Sequence, residues 1–239
     1  MKDLITIKEP KSPISESYRG IRTSIQFSNL DKKIKVINVT SSKEREGKST
    51  VLSNLATTFA NLEKKVLILD GNLRNPAVNK IFEVSNDYGL TNVLLEEKSF
   101  EECVHCTDTK NLHVLTCGTI PPNPSELLAS NKMTEFISKL KENYDYIFID
   151  TPAIGVVTDA EIVSTYSDGC IFIVGAKKAE IETVKISIDK LENLGANILG
   201  GILNKFEVNK GSNDYYSDYF KKKARFRKKL KRKKEYILV

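Results

Sequence analysis

This 239-residue sequence predicts an α/β fold, a mostly parallel sheet flanked by helices. Three observations predict it. From about residue 34 onward, short apolar runs alternate with amphipathic stretches of helical length. The apolar runs are continuous in Val, Ile, Leu and Phe, as in strands buried on both faces, where a half-exposed strand would alternate. Three polar motifs stand directly at the ends of such runs, where open parallel sheets hold their ligands.

Taken in order, the chain opens with a segment of different character, residues 1–33. Ser12-Pro13-Ile14-Ser15 reads as a helix start, with proline at an early helical position. Glu16, Arg19 and Arg22 follow at i, i+3 and i+6, broadly one helical face. Spacing alone makes that face a salt-bridged, solvated one. Strands are expected at residues 35–40, 65–70, 112–116, 146–150, 169–175 and 197–204. Helices are expected at 49–62, 126–142, 159–166 and 180–194, joined to the strands by right-handed crossovers. The chain therefore divides into the N-terminal segment 1–33, a domain over 34–210 and a C-terminal tail over 211–239. It shows no internal repeat.

Composition excludes several classes. No apolar run approaches the roughly 18 residues of a membrane span, and the start Met1-Lys2-Asp3-Leu4-Ile5-Thr6 lacks the apolar core of a signal peptide. A cytoplasmic protein is expected. Four cysteines in a chain of this size suit reduced thiols better than a disulfide framework. Cys103-Val104-His105-Cys106, with His113, Cys117 and Cys170, matches no zinc-ligand spacing and reads as thiols without chemistry. Residues 221–234 hold eleven Lys or Arg and no acid; with them set aside, the net charge of +6 becomes −5. Such a run is solvated, or suited to an anionic membrane surface or to nucleic acid.

The most informative stretch lies between the first strand and the helix after it. Thr40-Ser41-Ser42-Lys43-Glu44-Arg45-Glu46-Gly47-Lys48-Ser49-Thr50 places Gly-Lys-Ser at a strand-to-helix turn, the context of a phosphate-binding loop. Backbone N–H groups at the helix start face an anion, Lys48 reaches the β- and γ-phosphates, and the Ser49 hydroxyl suits Mg²⁺. The loop departs from the usual pattern. Ser42 stands at the first glycine position, and Glu44 and Arg45 fill the middle, where small residues let the backbone approach a phosphate. Arg45 can lend a charge, whereas Glu44 and Glu46 repel an anion unless they point away.

Two further strand ends carry acids. Asp70 closes Val66-Leu67-Ile68-Leu69 and opens Gly71-Asn72-Leu73-Arg74; Asp150 closes Tyr146-Ile147-Phe148-Ile149 and precedes Thr151-Pro152. A carboxylate after four buried strand residues needs a cation or a ring of donors. The Mg²⁺ of a bound triphosphate supplies such a cation.

On these residues the sequence resembles the bacterial tyrosine kinases of capsule and exopolysaccharide operons, in particular their cytoplasmic kinase subunit in Gram-positive bacteria. The resemblance covers most of residues 12–220. It rests on the loop Ser42–Thr50, on Asp70-x-Asn72-x-Arg74, on Asp150-Thr151-Pro152, and on the string Gly118-Thr119-Ile120-Pro121-Pro122-Asn123-Pro124-Ser125-Glu126-Leu127-Leu128. It also includes the tyrosines Tyr215, Tyr216, Tyr219 and Tyr236 near the end.

The resemblance implies a deviant phosphate-loop NTPase fold of the kind found in partition and septum-site ATPases, with ATP and Mg²⁺ as cofactors. It implies that Lys48, with residues 42–50, holds the phosphates, that Ser49 and Asp150 hold Mg²⁺, and that Asp70 is the base or the orienting group for the tyrosine hydroxyl and also touches the metal. Arg74 would organise that loop, and Asn204 would contact the adenine. Glu16, Arg19 and Arg22 match the family's oligomerisation motif, against the spacing-only reading. The implied partners are a membrane-anchored activator of the polysaccharide co-polymerase type, further copies of the chain in a ring, and a cognate tyrosine phosphatase, with no nucleic acid. The location would be the inner face of the plasma membrane, and the four tail tyrosines the phosphoacceptors. One departure stands out: Asn72 occupies the place of a second acid. Two alternatives are a partition-type ATPase, which Lys43 inside the loop favours, and a nucleotide-gated scaffold, which Arg45 and Asn72 favour.

Overall fold

The structure is a computed structural model that describes residues 4–28, 33–176 and 179–206. Its single sheet contains β1 (Val36–Ser41), β2 (Val66–Asp70), β3 (Val104–Cys106), β4 (Leu112–Leu115), β5 (Tyr146–Asp150), β6 (Gly169–Gly175) and β7 (Ile198–Asn204). The spatial order is β3-β4-β2-β5-β1-β6-β7. Every pairing is parallel except β3 with β4 at one edge. Six strands fall within one residue of the expected limits because each is a continuous apolar run between polar loops.

The helices are α1 (Ile5–Lys8), α2 (Pro13–Ser28), α3 (Lys48–Ala60), α4 (Val78–Phe82), α5 (Leu90–Leu94), α6 (Phe100–Cys103), α7 (Pro124–Leu128), α8 (Asn131–Asn143), α9 (Asp159–Tyr166) and α10 (Ile181–Asn193). One expected helix is corrected: residues 126–142 are split between α7 and α8. Ser130 breaks the run because its hydroxyl caps α8, accepting from the Met133 N–H at 3.2 Å. The elements α1, α4, α5, α6 and β3 were not expected. None is longer than five residues, too short to show a period.

Strand alternation explains how a continuous apolar run is consumed. Val66 and Ile68 of β2 join a core layer with Tyr18 and Ile25 of α2 and Leu52 and Phe59 of α3. Leu67 and Leu69 face the opposite layer, with Leu90 of α5 and Met133 and Ile137 of α8. Phe59 lies 4.4 Å from Tyr146 and 5.4 Å from Phe148 between ring centroids, which seats α3 across β5. Burying a ring of this size contributes about 1.5–3 kcal/mol, and here it also brings the start of α3 beside Asp150. The compact unit that carries all these elements ends at Lys205. Among the described residues no helix is long and apolar enough to cross a membrane.

Candidate active site

The loop from β1 to α3 wraps the start of the helix. Gly47, the residue before α3, has φ 97°, and a Cβ there would lie 2.2 Å from Asn204 Nδ2, so glycine is required for conformation and for space. The first N–H groups of α3 are left free for an anion, with the positive end of the helix dipole behind them. Lys48 is nearly buried, its Nζ 3.2 Å from Ser41 Oγ. Burial lowers its pKa, and the carboxylates of Asp150, Glu46 and Glu44 oppose that shift.

The departures in this loop acquire distinct structural meanings. Arg45 has φ 61°, the left-handed conformation that glycine adopts without penalty. Arg45→Gly is therefore expected to raise unfolding stability by about 1 kcal/mol, as denaturant titration would measure. Glu46 does not face a phosphate at all. Its carboxylate is fully buried, accepting from the Lys43 N–H at 2.9 Å, the Ser42 hydroxyl at 3.1 Å and the Gly175 N–H at 2.9 Å. It ties the loop to the end of β6. The end of β7 holds the same loop from the other side: Asn204 Nδ2 donates to Glu46 O at 2.8 Å and Lys205 Nζ to Arg45 O at 2.6 Å. Lys43 Nζ pairs with Glu180 at 2.6 Å. Glu44 stays exposed at the mouth of the site.

Asp70 and Asp150 are register partners in the adjacent strands β2 and β5, and both are fully buried. Desolvation raises both pKa values. For Asp70 the neighbouring Asp150 charge adds to the rise, which reaches about 8, while the N–H groups of Val78, Ala77 and Asn72 restrain it. For Asp150 the Ser49 hydroxyl and Lys48 restrain the rise to about 6. Asp150 Oδ2 accepts from Ser49 Oγ at 2.5 Å, while Oδ1 is buried with no hydrogen-bond partner. An orphan carboxylate oxygen beside a hydroxyl is a donor set that fits Mg²⁺. Asp70 is already engaged, accepting at 3.2 Å from Asn72 N and at 3.1 and 3.0 Å from the N–H groups of Ala77 and Val78.

Asn72 caps the turn that follows, its Oδ1 accepting from Asn75 N at 3.2 Å. Arg74 is gripped from two sides. Its Nε and Nη2 donate to the two oxygens of buried Asp159 at 2.8 and 3.0 Å, and Nη2 also donates to Ser125 Oγ at 2.8 Å. The Ser125 hydroxyl donates to Asp159 in turn at 2.8 Å. Arg45, Lys48, Ser49, Asn72, Arg74 and Lys80 line one cleft of about 400 Å³.

The structure thus brings together Lys48, Ser49, Thr50, Asp70, Arg74 and Asp150, with Asn204 behind the loop. It keeps Glu16, Arg19 and Arg22 apart from them, on α2. There Arg19 pairs with Glu16 at 2.8 Å, and Arg22 Nη1 donates to Thr58 O at 2.8 Å. Tyr215, Tyr216, Tyr219, Tyr236 and the basic run 221–234 lie outside the described residues. Sequence reasoning missed Glu46 as a brace, Lys205 as a clamp, and Asp159 and Ser125 as the partners of Arg74. For Ser125 a signal existed in the string 118–128; for Asp159 the helix start absorbed it; for Glu46 the charge pointed the wrong way.

Comparison with known proteins agrees with this geometry. A family model described as an AAA domain matches residues 34–198. The putative tyrosine-protein kinase CapB of Staphylococcus aureus is 41% identical over 208 residues, 87% of this chain and 91% of that protein. The crystal structure of the chimerical protein CapA2B2 superposes with a TM-score of 0.84 at 38% identity, over 87% of this chain and 92% of that one. The septum site-determining protein MinD of Pyrococcus horikoshii OT3, complexed with Mg-ADP, shares the fold at a TM-score of 0.63 and 25% identity, over 76% of each chain. With a phosphate loop after β1, two acids at adjacent strand ends and relatives that match nearly end to end, the chain belongs to the bacterial tyrosine kinases of capsule and exopolysaccharide operons, on the phosphate-loop NTPase fold shared with MinD.

Proposed function

We infer that this chain is an ATP-dependent protein-tyrosine kinase that autophosphorylates Tyr215, Tyr216, Tyr219 and Tyr236 and regulates capsular or extracellular polysaccharide synthesis and export. One observation carries the reading: Asp70 and Asp150 stand side by side at the strand ends, with an unpartnered Asp150 oxygen next to the Ser49 hydroxyl and Lys48.

Lys48 and the N–H groups of the loop hold the triphosphate. Ser49 and Asp150 hold Mg²⁺, which neutralises phosphate charge when bound. The tyrosine hydroxyl oxygen bonds to the γ-phosphorus as the bond to the β–γ bridging oxygen breaks; ADP leaves and the phenolic proton passes to Asp70. The raised pKa of Asp70 suits a group that takes a proton near neutrality. Its three N–H contacts and the Arg74–Asp159 pair fix the loop that presents it. Asn204, at the loop's back wall, takes the adenine side of the nucleotide.

Asn72→Asp is expected to raise phosphotransfer several-fold at limiting Mg²⁺. An aspartate keeps the Asn75 N–H contact and adds a third carboxylate to a site short of one. Labelling rate against Mg²⁺ concentration measures this, and no gain at any concentration counts against Asn72 as the limiting residue.

The Glu16–Arg19 pair on α2 serves subunit contacts in a ring of copies, so tails are phosphorylated by neighbours. Glu16, Arg19 and Arg22 replaced together by Ala should shift the oligomer formed with ATP and Mg²⁺ to monomers in light scattering; a parent that is already monomeric overturns it. A membrane-anchored activator and a tyrosine phosphatase complete the cycle at the membrane's inner face, where the basic run 221–234 suits anionic lipid.

The test of the whole reading is incubation with γ-labelled ATP, Mg²⁺ and the activator's cytoplasmic segment. Label on protein tyrosine is expected. Free phosphate without labelled protein would favour a partition-type ATPase, and neither product a nucleotide-gated scaffold.

A further inference from the structure

The tetrapeptide Ser-Asn-Asp-Tyr occurs twice in this chain, at 212–215 in the tail and at 85–88 in the folded domain. We propose that Tyr88 is a second phosphoacceptor of this kinase, carried on the domain itself; the proposal rests on the kinase reading above.

Exposure singles the residue out. Of the five tyrosines among the described residues, Tyr18, Tyr144 and Tyr146 are buried, and the Tyr166 hydroxyl is shut away from solvent. Tyr88 alone among them is open, at 51%. Charge supports it as a substrate. An aspartate directly precedes Tyr88, Tyr215 and Tyr219, and the cleft is lined by Arg45, Lys48 and Lys80 against the single lining acid Glu44, Arg74 being already paired with Asp159. An acid beside the acceptor meets a cationic rim, which selects the Asp-Tyr step over a neutral one. Asp145-Tyr146 has the same step, but its tyrosine is buried in β5.

The loop between α4 and α5 holds Tyr88 in place and settles which copy acts on it. Asn86 donates to Gly118 O at 3.0 Å and accepts from Gly118 N at 3.1 Å. Thr116 Oγ1 donates to the Tyr88 carbonyl at 3.2 Å, and the Leu90 N–H to Thr116 O at 2.8 Å. Gly89 is pressed so close to β4's exit that a Cβ would lie 2.2 Å from Thr116 O. A residue pinned on both sides does not swing into its own cleft, so a second copy must receive it. The Tyr88 oxygen bonds to the γ-phosphorus of that copy's ATP, the bond to the β–γ bridging oxygen breaks, ADP leaves, and the phenolic proton passes to that copy's Asp70.

The product is also provided for. Lys98 Nζ lies 5.1 Å from the Tyr88 ring centroid, paired at 3.0 Å with Glu102. A phosphate of about −1.5 to −2 charges offers that ammonium a stronger partner than one exposed carboxylate.

The test uses the full-length chain with γ-labelled ATP, Mg²⁺ and the activator segment, and maps label by peptide mass spectrometry. The variant with Tyr215, Tyr216, Tyr219 and Tyr236 all changed to Phe is expected to keep label at Tyr88, and adding Tyr88→Phe to remove at least ten-fold of what remains. A Lys48→Met copy should gain label at Tyr88 only when mixed with an active copy. Label on the tail tyrosines with none at Tyr88 overturns this proposal and leaves the kinase reading intact. No label on any tyrosine overturns both.

Discussion

Lys48→Met will reduce tyrosine labelling at least 100-fold and leave the domain folded. The ammonium is the buried cation of the loop, standing at the start of α3 beside Asp150, and removing a single such group from a preorganised site removes about 10²–10³ in rate. Stability should hold or rise. Lys48 is nearly buried, burial already disfavours its charge, and methionine fills a similar volume without a desolvated ammonium. Labelling, nucleotide affinity from a fluorescent analogue, and thermal unfolding separate the two effects. Unchanged affinity and labelling would remove this loop from the site.

Asp150→Asn should lower phosphotransfer by a similar factor and change how the metal-free protein responds to pH. Both strand-end carboxyls lie above the ordinary range, Asp150 at about 6 and Asp70 at about 8. Between about pH 4 and those values the folded chain keeps protons that the unfolded chain has lost. Stability without metal is therefore greatest at the acid end of that window. It falls as pH rises through 6 and then 8, by up to about 1.4 kcal/mol per pH unit for each proton. Asparagine in place of Asp150 removes one buried charge and the repulsion it exerts on Asp70. The profile from pH 5 to 8.5 in chelator should flatten, with the variant more stable than the parent at the alkaline end. Thermal unfolding across that range decides; a steeper profile, or full activity in the variant, runs against the paired-carboxylate site.

The strands were legible in the sequence because burial on both faces writes one unmistakable pattern, and the acids at their ends were legible because a carboxylate after Leu67-Ile68-Leu69 needs a cation or a ring of donors. The phosphate loop was legible from its place between an apolar run and a helix. What sequence concealed has physical reasons. Charge alone made Glu46 a repulsive neighbour of phosphate, yet three hydrogen bonds from Ser42, Lys43 and Gly175 turn it inward. Gly175 is 129 residues away, and no local pattern announces such a contact. Asp159 and Ser125 converge on Arg74 from separate loops, again through long-range folding. Ser130 split a helix because its hydroxyl competes locally for a backbone N–H, an effect that hydrophobic periodicity overlooks.

The clamp that Asn204 and Lys205 place on the phosphate loop bears on the order in which the protein comes into being. The loop is synthesised well before β7, yet two of its backbone carbonyls accept hydrogen bonds from residues at the very end of the compact unit. A nascent chain lacking β7 has its phosphate loop in sequence and not yet in final shape. Nucleotide capture is thereby deferred until synthesis has passed residue 205, when the next stretch to emerge is the tyrosine-bearing tail.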